Sequence, residues 1–428
     1  MEILILVGVM VGTALVGVPL VFAILIASTV TLLVYRPGIP LEVVAQLFLS
    51  GLDSFLLLAV GFFFLAGELM NRGGVTRRII DFASACVGHV RGGLGHVNVV
   101  SSIFFSGISG SAVADTAAVG SVLIPAMERS GFSRGFAAAI TQTSSVIGPI
   151  IPPSIPMIVY AVLAQQSVGE MFLAGIVPGL VVGLCLMVVV YVISRRRNYP
   201  AAKWQGFRAI LRAGLSAAVA LLTPVIILGG ILGGVMTATE AGAVAAAYAF
   251  LAGKFWFGEL TWRQCGTALV EAAKGTSTVL VIVGASSIFA WIVADLKIST
   301  MASELIFSVT EDPFMVLVLV MIFTLVIGLF MDPLAGLVII VPVFLPAMET
   351  IGVDPIHFGV LVVLNLMIGL TTPPVGYLIY LSAYIAKEKP EVVIRESLPF
   401  LGALIAALLI CLAVPAVVLT LPALYSGG

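Results

Sequence analysis

The sequence predicts an all-α polytopic membrane protein, on three observations. Of its 428 residues 61% are hydrophobic and only 10% are charged, where a soluble globule carries about a quarter charged. Apolar stretches of roughly 20 residues, the length of a membrane-spanning helix, recur from end to end. Lys and Arg number 20 against 21 Asp and Glu, so no basic face suits nucleic acid and no acidic run forms a solvating tail. Cys86, Cys185, Cys265 and Cys411 lie far apart in apolar segments, and His occurs three times. Neither a disulfide framework nor a transition-metal site is expected, and the thiols read as small hydrophobes.

In chain order, the stretch "MEILILVGVMVGTALVGVPLVFAILIASTVTLLVY" lacks a basic n-region and runs apolar well past a signal peptide, so 3–35 reads as a retained first span. Further spans are expected near 43–70, 79–100, 100–127, 135–164, 170–194, 213–234, 238–257, 266–294, 313–350, 356–385 and 396–423. The polar interruption "SRRRNYPAAKWQGFRAILRAG", residues 194–214, carries Lys and Arg and no acidic residue. The positive-inside rule makes it cytoplasmic. It divides the chain into a first half, 1–194, a basic connector, 195–212, and a second half, 213–428.

Several polar clusters read as ordinary membrane-protein furniture. Glu68, Asn71, Arg72, Arg77 and Arg78 form a membrane-edge anchor. His89, Arg91, His96 and Asn98 read as a loop entering a span. Thr237 with Glu240 is an N-cap signature ahead of a small-residue helix. Lys297 snorkels to an interface.

An internal repeat is more informative. "PAMERSGFSRGFAAAITQTSSVIGPIIPP", 125–153, aligns without a gap on "PAMETIGVDPIHFGVLVVLNLMIGLTTPP", 346–374, at a constant offset of 221, with 9 identities in 29 positions. Biased composition alone would give about 3. The offset also pairs Gly107 with Gly328. Paired interruptions of membrane spans point to a secondary transporter with its site at the breaks.

The chemistry at the breaks follows from proline, which lacks an N–H and clashes with the carbonyl four residues earlier. Pro152 and Pro153 should release the carbonyls of Gly148 and Pro149; Pro373 and Pro374 should release those of Gly369 and Leu370. Freed carbonyls are tolerated in hydrocarbon only when buried in protein or wetted, and a bare cation is an equally good partner. Thr143, Ser144, Ser145 and Ser154 in the first copy, and Asn365, Thr371 and Thr372 in the second, add hard oxygen donors suited to an alkali cation. The competing reading is a pair of proline kinks whose hydroxyls back-bond to their own helices.

Upstream, "SGISGSAVADTAAVG", 106–120, and "IGLFMDPLAG", 327–336, read as tips of re-entrant hairpins over about 100–127 and 313–350, each followed by a broken helix, 135–164 and 356–385. Ser106, Ser109 and Ser111 at the first tip can serve an ion or a substrate. Asp115 and Asp332 are the acidic residues of these stretches, and a carboxylate at membrane depth is costly unless paired or wet. Each can instead cap a half-helix, whose N-terminus also attracts anions.

With "GELMNRGG", "GGLGHVNVVSSIFFSGISGSAVADTAAVGSVLIPAM", "IGPIIPPSIPMIVYA", "MTATEAGAVAAAYA" and "GLTTPPVGYLIYL", essentially the whole chain resembles the large membrane (DctM) subunit of tripartite ATP-independent periplasmic, or TRAP, transporters. The resemblance implies a bacterial inner-membrane protein with inverted repeats and an elevator-type transport domain, like the ion transporter superfamily. It also implies sodium-coupled import of an organic anion, a periplasmic substrate-binding protein, and a separate small four-helix membrane subunit. No cofactor is implied beyond sodium as coupling ion. Carried over by position, sodium would be held by Ser106, Gly107, Ser109, Asp115, Ser145, Gly148 and Pro149 at one break, and by Gly328, Asp332, Asn365, Gly369, Thr371 and Thr372 at the other. Substrate would lie near Ser111, Pro153, Ser154, Asp332 and Pro374. Sialic acid members carry an arginine after the "FAW" span where this chain has Asp295 and Lys297, which turns the expectation toward a smaller carboxylate or sulfonate. Two other functions compete: an intramembrane aspartyl protease using Asp115 and Asp332, which lacks its GxGD turn, and a passive anion channel, which paired closed breaks disfavour.

Overall fold

The computed structural model describes residues 2–36, 38–310 and 312–426, and among them there are helices and no strands. The first apolar stretch is two mutually packed helices, α1 (Glu2–Leu15) and α2 (Leu20–Tyr35), and not the single span expected over 3–35. Gly17 adopts φ +91°, which ends α1, and Pro19 caps α2 without an N–H to donate. The next stretch likewise divides into α3 (Glu42–Leu52) and α4 (Phe55–Arg72), and 79–100 into the amphipathic α5 (Val75–Val87) and the start of α6 (Gly93–Ser109).

α6 and α7 (Ala112–Arg129) form the first hairpin, turning at Gly110 with φ +57°. α8 (Arg134–Ser144) continues as one 3₁₀ turn, unwinds through the prolines, and resumes as α9 (Ile155–Leu163). α10 (Val168–Arg196), α11 (Phe207–Leu232) and α12 (Ala238–Leu251) follow, then a π turn at Ala252–Trp256 and the long α13 (Trp262–Asp295). α14 (Ile298–Val309) was not expected, being too short for the spanning ruler. The second hairpin is α15 (Pro313–Phe330) and α16 (Pro333–Thr350), and the second broken helix α17 (Pro355–Gly369) and α18 (Tyr377–Ala386). The last stretch splits at Pro415 into α19 (Pro390–Ala413) and α20 (Ala416–Ser426). Seven described helices are long and apolar enough to cross a membrane.

The 221-residue offset reappears in three dimensions at positions where residue identity is not kept. Ser111 and Asp332 cap α7 and α16; Ser133 and Asp354 cap α8 and α17. Each of these oxygens accepts a hydrogen bond from an N–H of the following first turn, so serine and aspartate do the same work. Pro152–Pro153 and Pro373–Pro374 are both cis.

The hairpins open toward opposite ends of the bundle. At one end Gly92 N donates to Pro200 O at 3.2 Å, the Ser133 and Tyr199 hydroxyls lie 3.3 Å apart, and Arg197 pairs with Glu396 at 2.8 Å. These contacts gather the base of the first hairpin around the basic connector, which the positive-inside rule makes cytoplasmic. The turn before α13 lies there too: Arg78 of α5 pairs with Glu259 at 2.7 Å, and Phe82 of the same helix sits against Gly214 near the start of α11. At the opposite end the Tyr160 hydroxyl donates to Pro355 O at 2.5 Å, joining the end of α9 to the start of α17 beside the base of the second hairpin. The two repeats are therefore inverted. α17 runs through the middle, with every residue from Ile356 to Gly369 buried.

Candidate functional site

The first hairpin and the first break are joined by a buried polar network. Asn98 Nδ2 donates to Thr141 Oγ1 at 2.7 Å, and Ser144 Oγ donates to Asn98 Oδ1 at 3.0 Å. Ser102 Oγ reaches Ser144 Oγ at 3.1 Å, and Ser145 Oγ donates to Thr141 O at 2.7 Å. The bonds among them that join α6 to α8 are worth about 0.6 kcal/mol each in a membrane, up to ~1.7. Ser102 and Ser145 are also within hydrogen-bond reach of Asp115, so each hydroxyl stands between the carboxylate and Ser144 or Thr141.

Asp115 is fully buried one turn into α7, and Ser102 and Ser145 are the side chains that reach its carboxylate. Two neutral hydroxyls do not offset the cost of burying a carboxylate's charge. Oxygen lone pairs from Asp115, Ser102 and Ser145 converging on one buried point are a donor set for a hard cation. Gly148 brings the tip to this point: a methyl built there would lie 3.5 Å from Ser111 O.

At the second break Asn365 Nδ2 donates to Met321 O at 2.5 Å, while Asn365 Oδ1 is buried without a partner. Thr324 Oγ1 is in the same condition, and it lies between Met321 and Gly328 on the α15 face turned to α17. Gly328 abuts Leu366 and Gly369, where backbone meets backbone. Asn365, Thr324 and the glycine pair therefore form a second oxygen-lined point in the equivalent place.

The freed carbonyls are mostly claimed. Pro149 O accepts from the Ser154 hydroxyl, Gly369 O from Thr372 N at 3.1 Å, and Leu370 O from Leu378 N at 3.1 Å. The unwound segments are re-satisfied locally, as the kink reading held. The Thr371 and Thr372 hydroxyls both donate to Ile368 O, and the Ser106 hydroxyl donates to Ile103 O at 2.5 Å. The carboxylate of Asp115 and the side-chain oxygen of Asn365 are the candidate ligands beside these claimed carbonyls.

Between the tips lie two adjoining cavities of about 90 and 790 Å³. Both are bounded by Asp332 of the second tip, Val113 after the first, Leu370 of the second break and Phe64 of α4. Ser111 and Pro149 line the smaller one; Gly328 and α13 residues Gly275, Thr278 and Val279 line the larger. Among the described lining residues Asp332 is the only charged one, and its Oδ1 accepts from Leu334 N at 2.9 Å. An α7 N-terminus capped by Ser111 and an α16 N-terminus capped by Asp332 thus face one space.

Other expected site residues lie elsewhere. Ser154 is buried as the N-cap of α9, and the Pro153 carbonyl is packed against Gly110. Pro374 O accepts from the Tyr380 hydroxyl. None of the three is among the cavity-lining residues. Gly107 faces Pro224 of α11, a close helix contact rather than a ligand position. Ser109 Oγ accepts from Ser111 N at 3.5 Å, within the tip turn. Asp295 pairs with Arg36 at 3.1 Å and Lys297 opens α14, and neither is among the residues lining the two cavities. Asp115 and Asp332 sit in different places, one in the first-break network and one on the cavity, which leaves the protease reading without its pair. Arg72–Glu68 and the Thr237–Glu240 capping box are structural contacts.

Ser102, Thr324 and Phe64 carry no expectation from the sequence, and Asn98, expected in a loop entering a span, lies inside α6. Asn98, Ser102 and Ser106 recur every four residues in α6, a polar stripe on one helix face that the loop reading of 89–98 concealed.

Comparison with known proteins bears on the family and the fold. The family described as "Tripartite ATP-independent periplasmic transporter, DctM component" matches residues 6–417. The chain is 39% identical over 424 residues to the sialic acid TRAP transporter large permease protein SiaM of Vibrio cholerae, covering 98% of this chain and 96% of that one. It is 40% identical over 397 residues to the C4-dicarboxylate TRAP transporter large permease protein DctM of Pseudomonas aeruginosa, 93% of each chain. The isethionate TRAP transporter permease protein DctMQ of Oleidesulfovibrio alaskensis shares 38% over 413 residues, 96% of this chain and 64% of that longer one. The crystal structure of the Alcanivorax borkumensis YdaH transporter is similar in fold, with a TM-score of 0.62 over 89% of each chain at 15% identity.

Proposed function

Because the chain belongs to the DctM family of tripartite ATP-independent periplasmic transporters, and is a multi-pass protein of the bacterial inner membrane, we propose that it is the large permease subunit of a sodium-coupled importer of a small organic anion. The observation that carries this reading is the pair of capped half-helix N-termini, at Ser111 and Asp332, facing one cavity between the two breaks. The relatives named for sialic acid, C4-dicarboxylate and isethionate support an organic carboxylate or sulfonate as the substrate class.

In this reading sodium sits at two places. Asp115, Ser102 and Ser145 hold one ion against the first tip; Asn365 and Thr324, with the backbone near Gly328 and Gly369, hold the other. Each ion cross-links a hairpin to a broken helix, so loading both fixes the two tips at the spacing the anion needs. Without them the buried oxygens repel one another and the tips part. Hairpins and broken helices then move as a block against α4, α11 and α13, the elevator step, with the cavity wall of Phe64 and Thr278 as the stationary side. A periplasmic binding protein delivers the anion, and a small four-helix subunit accompanies the permease in the bilayer.

Reconstituted with both partners, the permease should accumulate succinate, sialic acid or isethionate only under an inward sodium gradient. Uptake of one of these that persists at full rate with potassium in place of sodium overturns the coupling. Uptake of none of them overturns the substrate class.

A further inference from the structure

The larger cavity has a wall from α13 at Thr278. From Thr278 back toward the cytoplasmic start of that helix, polar residues continue as Lys274, Glu271, Thr267 and Arg263. Steps of four, three, four and four keep them on one helix face. Beyond Thr278 the same face carries Ile282 and Ala285, buried and apolar, so the polar face stops at the cavity. It extends roughly 22 Å at 1.5 Å per residue, within a 34-residue helix longer than the ~30 Å hydrocarbon thickness, and so leads from the cavity to the cytoplasmic side. Charged side chains along it are costly against lipid but not on a wet face.

The lysine has a partner it can release. Lys274 Nζ lies 2.9 Å from Glu271 Oε1, with the lysine side chain 67% exposed, and such exposed pairs are weak. Among the described residues lining the two cavities there is no Lys, Arg or His, so Lys274 is the first cation on the way from Asp332 to the cytoplasm along this helix. We propose that this face of α13 walls a wet exit vestibule, and that Lys274 is a positioning residue that exchanges Glu271 for the anionic group of the departing substrate. Arg263 stands at the mouth. The inference rests on the organic-anion reading above.

The test needs no transported substrate. With the four native cysteines replaced, a single cysteine at position 278 (Thr278→Cys) is labelled in inside-out vesicles by small anionic and cationic methanethiosulfonates, at about 10 mM ionic strength, where the Debye length is ~30 Å. Lys274→Gln should lower the anionic-to-cationic rate ratio about fivefold, and Glu271→Gln should raise it about twofold, from charges one and two turns away. Lys274→Arg should leave it unchanged and serves as the folding control. A ratio equal in all four backgrounds overturns the proposal, and so does the absence of labelling by either reagent, which would mean lipid or another subunit covers the face. Absence of organic-anion uptake overturns the parent reading instead, and is scored in a separate assay.

Discussion

Replacing Asp115 by asparagine removes a charge while keeping the shape, and so isolates the cation from the packing. In the wild type the carboxylate is fully buried beside Ser102 and Ser145, whose hydroxyls also serve Ser144 and Thr141. Leaving such a group uncompensated costs several kcal/mol, of order 3–5 when a buried partner is removed. An asparagine amide can donate to the two serine oxygens, gaining about 0.5–1.5 kcal/mol per bond. Asp115→Asn should therefore be more stable than wild type without sodium, by roughly 1–3 kcal/mol. Sodium should act in the opposite sense. An ion at 100 times its dissociation constant stabilises the wild type by about 2.7 kcal/mol per site, and the variant retains only the second site, so its sodium-dependent increment should fall by about half. Thermal unfolding of the purified protein in detergent, in sodium and in potassium, measures both. Equal sodium increments in the two proteins, or a variant less stable than wild type in potassium, would refute the assignment of Asp115.

Gly369→Ala places a methyl 2.7 Å from Gly328 Cα, where ordinary contact begins at 3.4 Å. The overpacking cost of about 1–3 kcal/mol outweighs the ~1 kcal/mol gained by alanine in a helix, so the melting temperature and uptake should both fall, while Gly402→Ala, which meets nothing within 4 Å, should be neutral or stabilising. Asn365→Ala removes the orphaned oxygen and the bond to Met321 O, and should raise the half-saturating sodium concentration of uptake several-fold; an unchanged value removes Asn365 from the second site. Asp332→Ala should cost about 1 kcal/mol of stability as a lost N-cap, whereas Asp332→Asn keeps the cap, and both should depress uptake if the carboxylate itself faces the anion. Normal uptake in Asp332→Asn would reduce Asp332 to a cap.

Legibility followed the range of the interactions concerned. The breaks at 148–153 and 369–374 were visible because Gly and Pro act on their own backbone, through a missing N–H and a missing Cβ. The hairpin tips were visible for the same reason. Helix ends at Gly17 and Pro415 were equally local, yet the expected spans ran across them because composition outweighed punctuation. Ser154 was read as substrate-facing from its place beside the prolines, but a hydroxyl there finds Pro149 O and the α9 N-terminus first.

By itself the sequence determined a helical membrane protein, duplicated at an offset of 221 residues, with two hairpins and two broken helices, since hydropathy, proline chemistry and a repeat are properties of a chain read in order. Only the tertiary structure decided which oxygens are spoken for. Asn98, Thr141, Ser144 and Ser102 come from segments more than 40 residues apart, and their mutual hydrogen bonds build the buried polar network against which Asp115 sits. A lone pair's availability depends on every neighbour at once, which no linear spacing records.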